Sequence, residues 1–577
     1  MQSFSCCASS LPKTARFARI ALFLLSLQGL TLAQVTTQQP AAGPQPAPAP
    51  QENILLYIKN AWNTLGRSMN ECSSISDPKF GAGATSTLYL PYGVTPPAPV
   101  SALTKCGVKV ENLPKKITGL GTIMPDQLDA HGLLYLPNKY VVPGGRFNEM
   151  YGWDSYFIIL GLLQDGLRDY SRGIIENFFY EIENYGAILN ANRAYYLTRS
   201  QPPFLTSMIM AQYAADKKAG RDDKKWLAKA YEYAVRDHDL WTKPPKLAGD
   251  TGLARYFDVG EGPVPDIADH PEYYAAIADW LLKHPDVKYD PPKYIAPTLA
   301  EGIGPELQVP LCDKKPCAEH HPVKLTADFY KGDRAMRESG FDPSFRWGPF
   351  DGSTHHYAPI CLNSLLYKAE MDLAEMATML NKAQDAKKWL AAAEERGKLI
   401  NKYMWNPEKG MFFDWDFMTG TQSTYNYITT FYPLWVGLAT PEQGKDVMKN
   451  LKIFEQPGGL AMSDQQTGVQ WDLPYGWAPT NLIAIEGMRR AGFNSDADRV
   501  SVKFLDTIRT NFKNSGTIRE KYNVVTGSDE APVLAGYHEN LIGFGWTNGT
   551  FLVLLHALPP QQQKRVMTAA APASKPN

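Results

Sequence analysis

Apolar residues in this 577-residue chain recur every three or four positions over long stretches, the period of a helix with one buried face. Residues 155–184 keep this period and break at Gln164-Asp165-Gly166. Residues 205–241, interrupted at 217–223, predict a helix pair, and residues 363–404 predict another, with an exposed turn around 382–388. Further helical pieces are predicted over 480–491, 499–512 and 551–558. Between the pairs run Gly- and Pro-rich stretches, 249–297 and 339–360, and loops of that length inside a domain usually carry function. The pattern therefore predicts one mainly α-helical domain, of the all-α class, over residues 52–558, and helical hairpins closing into a toroid with the loops gathered at one end would explain it, although no sequence repeat marks them.

The two ends read differently from the middle. Lys13, Arg16 and Arg19 precede the apolar run 20–27, and Thr31-Leu32-Ala33 supplies small residues before Gln34. A basic stretch, a short apolar stretch and a small-residue exit predict a signal peptide over residues 1–33. The run is shorter than the roughly 20 residues a spanning helix needs, so cleavage is expected rather than anchoring. Residues 34–51 are a Pro/Ala-rich tract, expected to be a disordered linker, and the tail 559–577 is expected to be disordered as well. The mature protein is accordingly expected outside the cytoplasm, secreted into a periplasm or the extracellular medium.

Composition narrows the partners. A formal net charge of −1 gives no electrostatic reason to expect nucleic acid or an anionic membrane. Aromatic residues reach 12%, which suits sugar-ring faces and equally a helical core, and on composition alone the core reading comes first. Five cysteines lie beyond the signal segment: Cys72, Cys106, Cys312, Cys317 and Cys361. Cys312 and Cys317 are close enough for a local bridge, and Cys72 with Cys106 offers a second. Reading Cys312, Cys317, His320 and His321 as metal ligands is disfavoured, because the paired CxxC spacing of a structural zinc site is missing.

Three loop regions hold the chemistry. PGGRFNEMYGWDSY, residues 143–156, puts Arg146, Glu149, Tyr151, Trp153 and Asp154 just after a turn forced by Pro and two Gly. QWDLPYGWAP, residues 470–479, places two Trp, one Asp and one Gln in another turn-rich stretch. Charged hydrogen-bonding groups between aromatic walls are what a hydroxyl-rich ligand requires. ESGFDPSFRW (338–347) and TIREKYN (517–523) each set a carboxylate among apolar, aromatic and basic neighbours.

Together these segments closely resemble the motifs of trehalases, glycoside hydrolases of family 37. PGGRFNEMYGWDSY and QWDLPYGWAP resemble the two signatures, and Asn190-Ala191-Asn192-Arg193 with Arg199-Ser200-Gln201-Pro202-Pro203-Phe204 resembles the sugar-binding stretch. ESGFDPSFRW resembles the segment of the family's catalytic Asp, REKYN that of its catalytic Glu, and GFGWTNG (543–549) its C-terminal motif. The resemblance implies an (α/α)6 toroid and inverting hydrolysis of α,α-trehalose to glucose, with no metal and no cofactor. The partner is then a small disaccharide, with no nucleic acid and no membrane, and a monomer is expected. Carried over by motif, Asp342 is the general acid and Glu520 the general base. An inverting enzyme needs such a pair about 6.5–9.5 Å apart, one carboxyl protonating the leaving oxygen and the other activating water. Asp342 has to keep its proton at working pH, which burial or nearby negative charge supplies. By the same carry-over Arg146, Trp153, Asp154, Asn190, Arg199, Gln201 and Trp471 grip the sugar.

Two departures from the family pattern fall on the pocket rather than on the catalytic pair. After Arg255-Tyr256-Phe257-Asp258, Val264 stands where the family carries Arg and Asp266 where it carries Glu. Val replaces none of a guanidinium's hydrogen bonds. The family's glycine-rich lid is also missing, with residues 533–540 (VLAGYHEN) in its place, where His538 or Glu539 would have to take over a contact. Hydrolysis of another small α-glucoside, or a catalytically weak sugar-binding descendant of the fold, are the alternative readings.

Overall fold

Two kinds of helix alternate along the chain. The computed structural model describes residues 53–76, 85–267, 271–285, 294–312, 317, 319–534 and 540–568, all in the unit Pro50–Asn577. In order its longer helices begin with Ile54–Thr64 (α1), Asp154–Gln164 (α2), Arg168–Asn184 (α3), Leu205–Lys218 (α4), Lys224–Trp241 (α5), Pro271–Lys283 (α6) and Ala327–Ser339 (α7). Then follow Ile360–Met379 (α8), Ala383–Tyr403 (α9), Tyr432–Val436 (α10), Pro441–Lys449 (α11), Ala478–Arg490 (α12), Asn494–Ser515 (α13), Gly545–Ala557 (α14) and Pro560–Thr568 (α15).

Helices α2, α4, α8, α10, α12 and α14 are buried on most sides, whereas α3, α5, α9 and α13 bury one stripe and expose the other. A helix apolar all round has to be enclosed, and an amphipathic one has to sit at a surface. The packing follows. Each enclosed helix lies against the next, α2 on α4, α4 on α8, α8 on α10, α10 on α12 and α12 on α14, and α14 returns to α2. The amphipathic helices α3, α5, α9 and α13 pack outside α2, α4, α8 and α12 as their hairpin partners. This is the (α/α)6 toroid.

The ring closes where α14 crosses α2. A Cβ on Gly549 would stand 2.0 Å from the Phe157 carbonyl oxygen, and one on Gly161 would stand 2.7 Å from the Gly549 Cα. Only glycine on both helices permits that approach.

Strands decorate this frame. Thr87–Leu90 (β1) lies parallel between Lys109–Asn112 (β2) and Leu133–Leu134 (β3). Ile303–Pro310 (β4) and His320–Leu325 (β5) form an antiparallel hairpin. With α6 and α7 that hairpin builds a second apolar cluster, including Tyr274, Ile277, Leu325, Phe329 and Phe350. Disulfides join Cys72 to Cys106 and Cys312 to Cys317, which leaves no thiolate pair for a metal beside His320 and His321, while Cys361 is free and buried.

Several sequence expectations change. The stretch 249–297 is not all loop, since it contains α6. The turn expected at 382–388 is shorter, because α9 already starts at Ala383. The tail after residue 558 begins with α15 rather than disorder, since Val566 gives it one fully buried anchor. The signal segment and linker (1–51) lie outside the described residues, as do His538 and Glu539 of the altered lid. Among the described residues no helix is long and apolar enough to cross a membrane.

Candidate active site

The loops at one end of the toroid are stitched to one another in chain order. In the first, Glu149 accepts from the Asn148 N–H (2.9 Å) and pairs with buried Arg193 (2.5 Å), while Asn192 Oδ1 takes the Met150 N–H (2.7 Å). Gly152 then donates to the Asn190 carbonyl and the Asn190 N–H to the Arg199 carbonyl. The Trp153 N–H ends on Gln201 Oε1 at 2.9 Å. Next, the Ser200 N–H donates to Glu338 Oε1 (2.9 Å) and Asn190 Nδ2 to the Arg337 carbonyl (3.3 Å), which fixes the end of α7 and so the Phe341-Asp342 segment beyond it.

The second signature is tied to that segment. The Trp471 N–H donates to the Pro343 carbonyl (3.1 Å), the Phe345 N–H to Asp472 Oδ2 (2.9 Å), and Gln470 Nε2 to the Asp342 carbonyl. Tyr475–Trp477 (β6) pairs antiparallel with Lys521–Asn523 (β7), in register Trp477 to Lys521. The Glu520 N–H donates to the Leu541 carbonyl and Trp546 Nε1 to the Glu520 carbonyl. Finally the Gly545 N–H reaches back to the Pro143 carbonyl at 2.6 Å. Segments some 400 residues apart in sequence thus meet because the ring brings its ends together.

Aromatic rings wall the centre. Trp153 lies 5.9 Å from Trp471, 5.5 Å from Phe341 and 5.8 Å from Trp546, centroid to centroid. Trp471 stacks flat on Trp477 at 3.8 Å, and Lys521 lies over Trp477. Trp471 Nε1 and Gln470 Oε1 are buried without a hydrogen-bond partner, polar groups of the kind a sugar hydroxyl satisfies. Three carboxyl groups share the space. Burial, followed by the charges of Glu520 and Asp342, holds Asp154 well above the usual carboxylate range. Glu520 Oε2 lies 2.8 Å from Lys521 Nζ, and both residues are buried.

Of the residues predicted from sequence, Trp153, Asp154, Asn190, Arg199, Gln201, Trp471 and Glu520 are buried, Asp342 is half-buried and Arg146 is exposed. Gln201 spends Oε1 on the Trp153 backbone, so it braces the wall. Arg199 lies over Tyr196 (4.7 Å), with Nη1 3.9 Å from Asp258. Glu149, grouped with the ligand-binding residues on sequence, is committed to Arg193. Val264 is fully buried with its N–H on the Tyr274 hydroxyl, and Arg334 takes the carbonyls of Glu261, Gly262 and Pro263. Phe341 was expected on sequence to wall the acid and does so, whereas sequence reasoning missed Trp546 and Lys521, although each lies inside a quoted motif.

Comparison with known proteins agrees with this geometry. The trehalase family model matches residues 98–559. The cytosolic neutral trehalase of Saccharomyces cerevisiae is 34% identical over 516 residues, covering 81% of this chain and 65% of its own. That of Beauveria bassiana is 35% identical over 468 residues, covering 74% of this chain and 60% of its own. The chain therefore spans less than two thirds of the length of these relatives. The solved structure of neutral trehalase Nth1 from Saccharomyces cerevisiae superposes with a TM-score of 0.70 at 32% identity, covering 89% of this chain and 95% of that one. These relatives correct one expectation. Their names place them in the cytosol, which contradicts the secreted or periplasmic location expected from the sequence. The N-terminal signal was read from a short run of charge and hydropathy alone, and such a pattern fixes no compartment by itself.

Proposed function

The chain belongs to the trehalase family, and from that premise we propose that it hydrolyses α,α-trehalose to two glucose molecules with inversion, Asp342 acting as acid and Glu520 as base. The observation that carries the reading is the meeting of the Asp342 and Glu520 segments at one tryptophan wall, Asp342 tied to Gln470 beside Trp471 and Glu520 to Trp546. Burial and the charges of Glu520 and Asp342 keep a proton on Asp154, which makes it a neutral hydrogen-bonding neighbour of the two carboxyls proposed for catalysis.

The roles divide by environment. Lys521 Nζ, 2.8 Å from Glu520 Oε2, holds in place the carboxylate that would accept a proton from water. Asp342, anchored by its carbonyl to Gln470 and followed by Pro343 on the Trp471 N–H, stands at the aromatic wall where the glycosidic oxygen would be protonated. Trp153 and Trp471 pack sugar faces, and Asp154, Asn190, Arg199 and Arg146 take hydroxyl groups. No step calls for a metal or a cofactor.

Glucose release from trehalose tests the proposal. Wild type should release glucose, while Asp342→Asn and Glu520→Gln should each lower kcat by about 10²–10⁴-fold. Failure of wild type to cleave trehalose while cleaving maltose would move the reading to another α-glucoside. Undiminished activity in either variant would remove that residue from its role.

A further inference from the structure

Outside the sugar site, two imidazoles and a carboxylate converge on one point. Asp328 lies in the first turn of α7, and His355 and His356 are consecutive in the short turn Thr354–His356. His355 Nε2 lies 3.0 Å and His356 Nε2 3.2 Å from the same oxygen, Asp328 Oδ1. One ligand atom from each residue falls within 4.8 Å of the others. We propose that Asp328, His355 and His356 form a binding site for a divalent transition-metal ion of the zinc class, remote from the catalytic centre.

The spacing suits such an ion. Zinc takes His nitrogen and carboxylate oxygen at about 2.0–2.2 Å, so two ligands of a tetrahedral site stand on the order of 3.3 Å apart. The observed 3.0 and 3.2 Å need little adjustment. Two imidazoles with one carboxylate select zinc, nickel, cobalt or copper over calcium and magnesium, which take oxygen shells. The polar inventory agrees. His355 is buried and its Nδ1 has no hydrogen-bond partner, and Asp328 Oδ2 is likewise buried without one.

The backbone around the site is already fixed. The His355 carbonyl accepts from Arg255 Nη1 (3.0 Å), the His356 carbonyl from the Phe417 N–H, and the His356 N–H donates to the Ser353 carbonyl. Gly332 of α7 touches Gly352 so closely that a Cβ would lie 1.8 Å from the Gly352 oxygen, which locks helix and turn together. His356 and Asp328 remain partly exposed, with side-chain exposures of 12% and 25%, so an ion can enter and complete its shell with water. Asp328 opens α7 and Asp342 follows its end, which puts the ion about 20 Å from the acid, as a clamp on the helix rather than a catalyst.

The full chain, stripped with EDTA and dialysed, would be titrated with zinc chloride by calorimetry, with thermal melting in parallel. One equivalent should bind and raise Tm. His356→Gln and Asp328→Asn should each weaken binding by about tenfold or more and abolish the Tm rise, while a His320→Gln/His321→Gln variant should match wild type. Absence of a bound equivalent in wild type, unchanged affinity in His356→Gln and Asp328→Asn, or loss of binding in the His320→Gln/His321→Gln variant would each overturn the site.

Discussion

Asp154 shows how one residue answers to two demands. It stands at the start of α2, fully buried, and faces both Glu520 and Asp342. Its folded-state carboxyl is raised, so the native protein keeps a proton that the unfolded chain releases near pH 4. Stability from this group is therefore undiminished below that pH and is lost as pH rises through the window up to the folded value. Asp154→Asn removes the effect. We expect the variant's Tm to gain on wild type steadily as pH rises above about 4. Parallel Tm curves for the two proteins would show that the Asp154 carboxyl ionises as readily folded as unfolded.

Between elements, buried polar contacts do work that the apolar period conceals. Glu370 on α8 holds Arg396 on α9 with bonds of 2.7–3.0 Å and His238 on α5 at 3.0 Å, so one carboxylate ties an enclosed helix to two surface helices. Burial pushes its carboxyl up, but Arg396 and His238 more than offset this and leave it below the ordinary range. That contribution is present above the unfolded value and fades as pH falls through the folded one. Glu370→Gln should cost about 3–5 kcal/mol at neutral pH, since it strands Arg396. In urea melts the gap from wild type should narrow below about pH 4; a constant gap would mean that packing rather than charge is lost. The same concealment limits what sequence reveals. The pairs α2–α3, α4–α5 and α8–α9 were legible because their buried faces are apolar. Helix α7 was not, because it buries Asp333 on Tyr274, Arg334 on Asp258 and Glu338 on Lys246, and buried partners leave no apolar stripe to count. The site residues were legible through their motifs, whereas the bracing duties of Glu149 and Gln201 depend on partners about 45 residues away in the chain.

At the scale of the whole molecule, stability and activity both depend on closing the ring. Gly549→Ala drives a methyl group into the Phe157 carbonyl and forces α14 away from α2. A loss of about 3 kcal/mol or more is expected, with kcat falling alongside, because Trp546 and the Glu520 carbonyl ride on the start of α14. An unshifted Tm and full activity would mean that the helices separate without cost. The closure also sets a schedule for the cell. A ribosome adds on the order of 5–20 residues per second, and the loop at 143–154 is made almost 400 residues before Trp546 completes its wall. For roughly 20–80 seconds the nascent chain carries half of an aromatic pocket with nothing to cover it. Each new copy of this protein therefore passes that interval dependent on chaperones, or on speed, to avoid clumping with its neighbours.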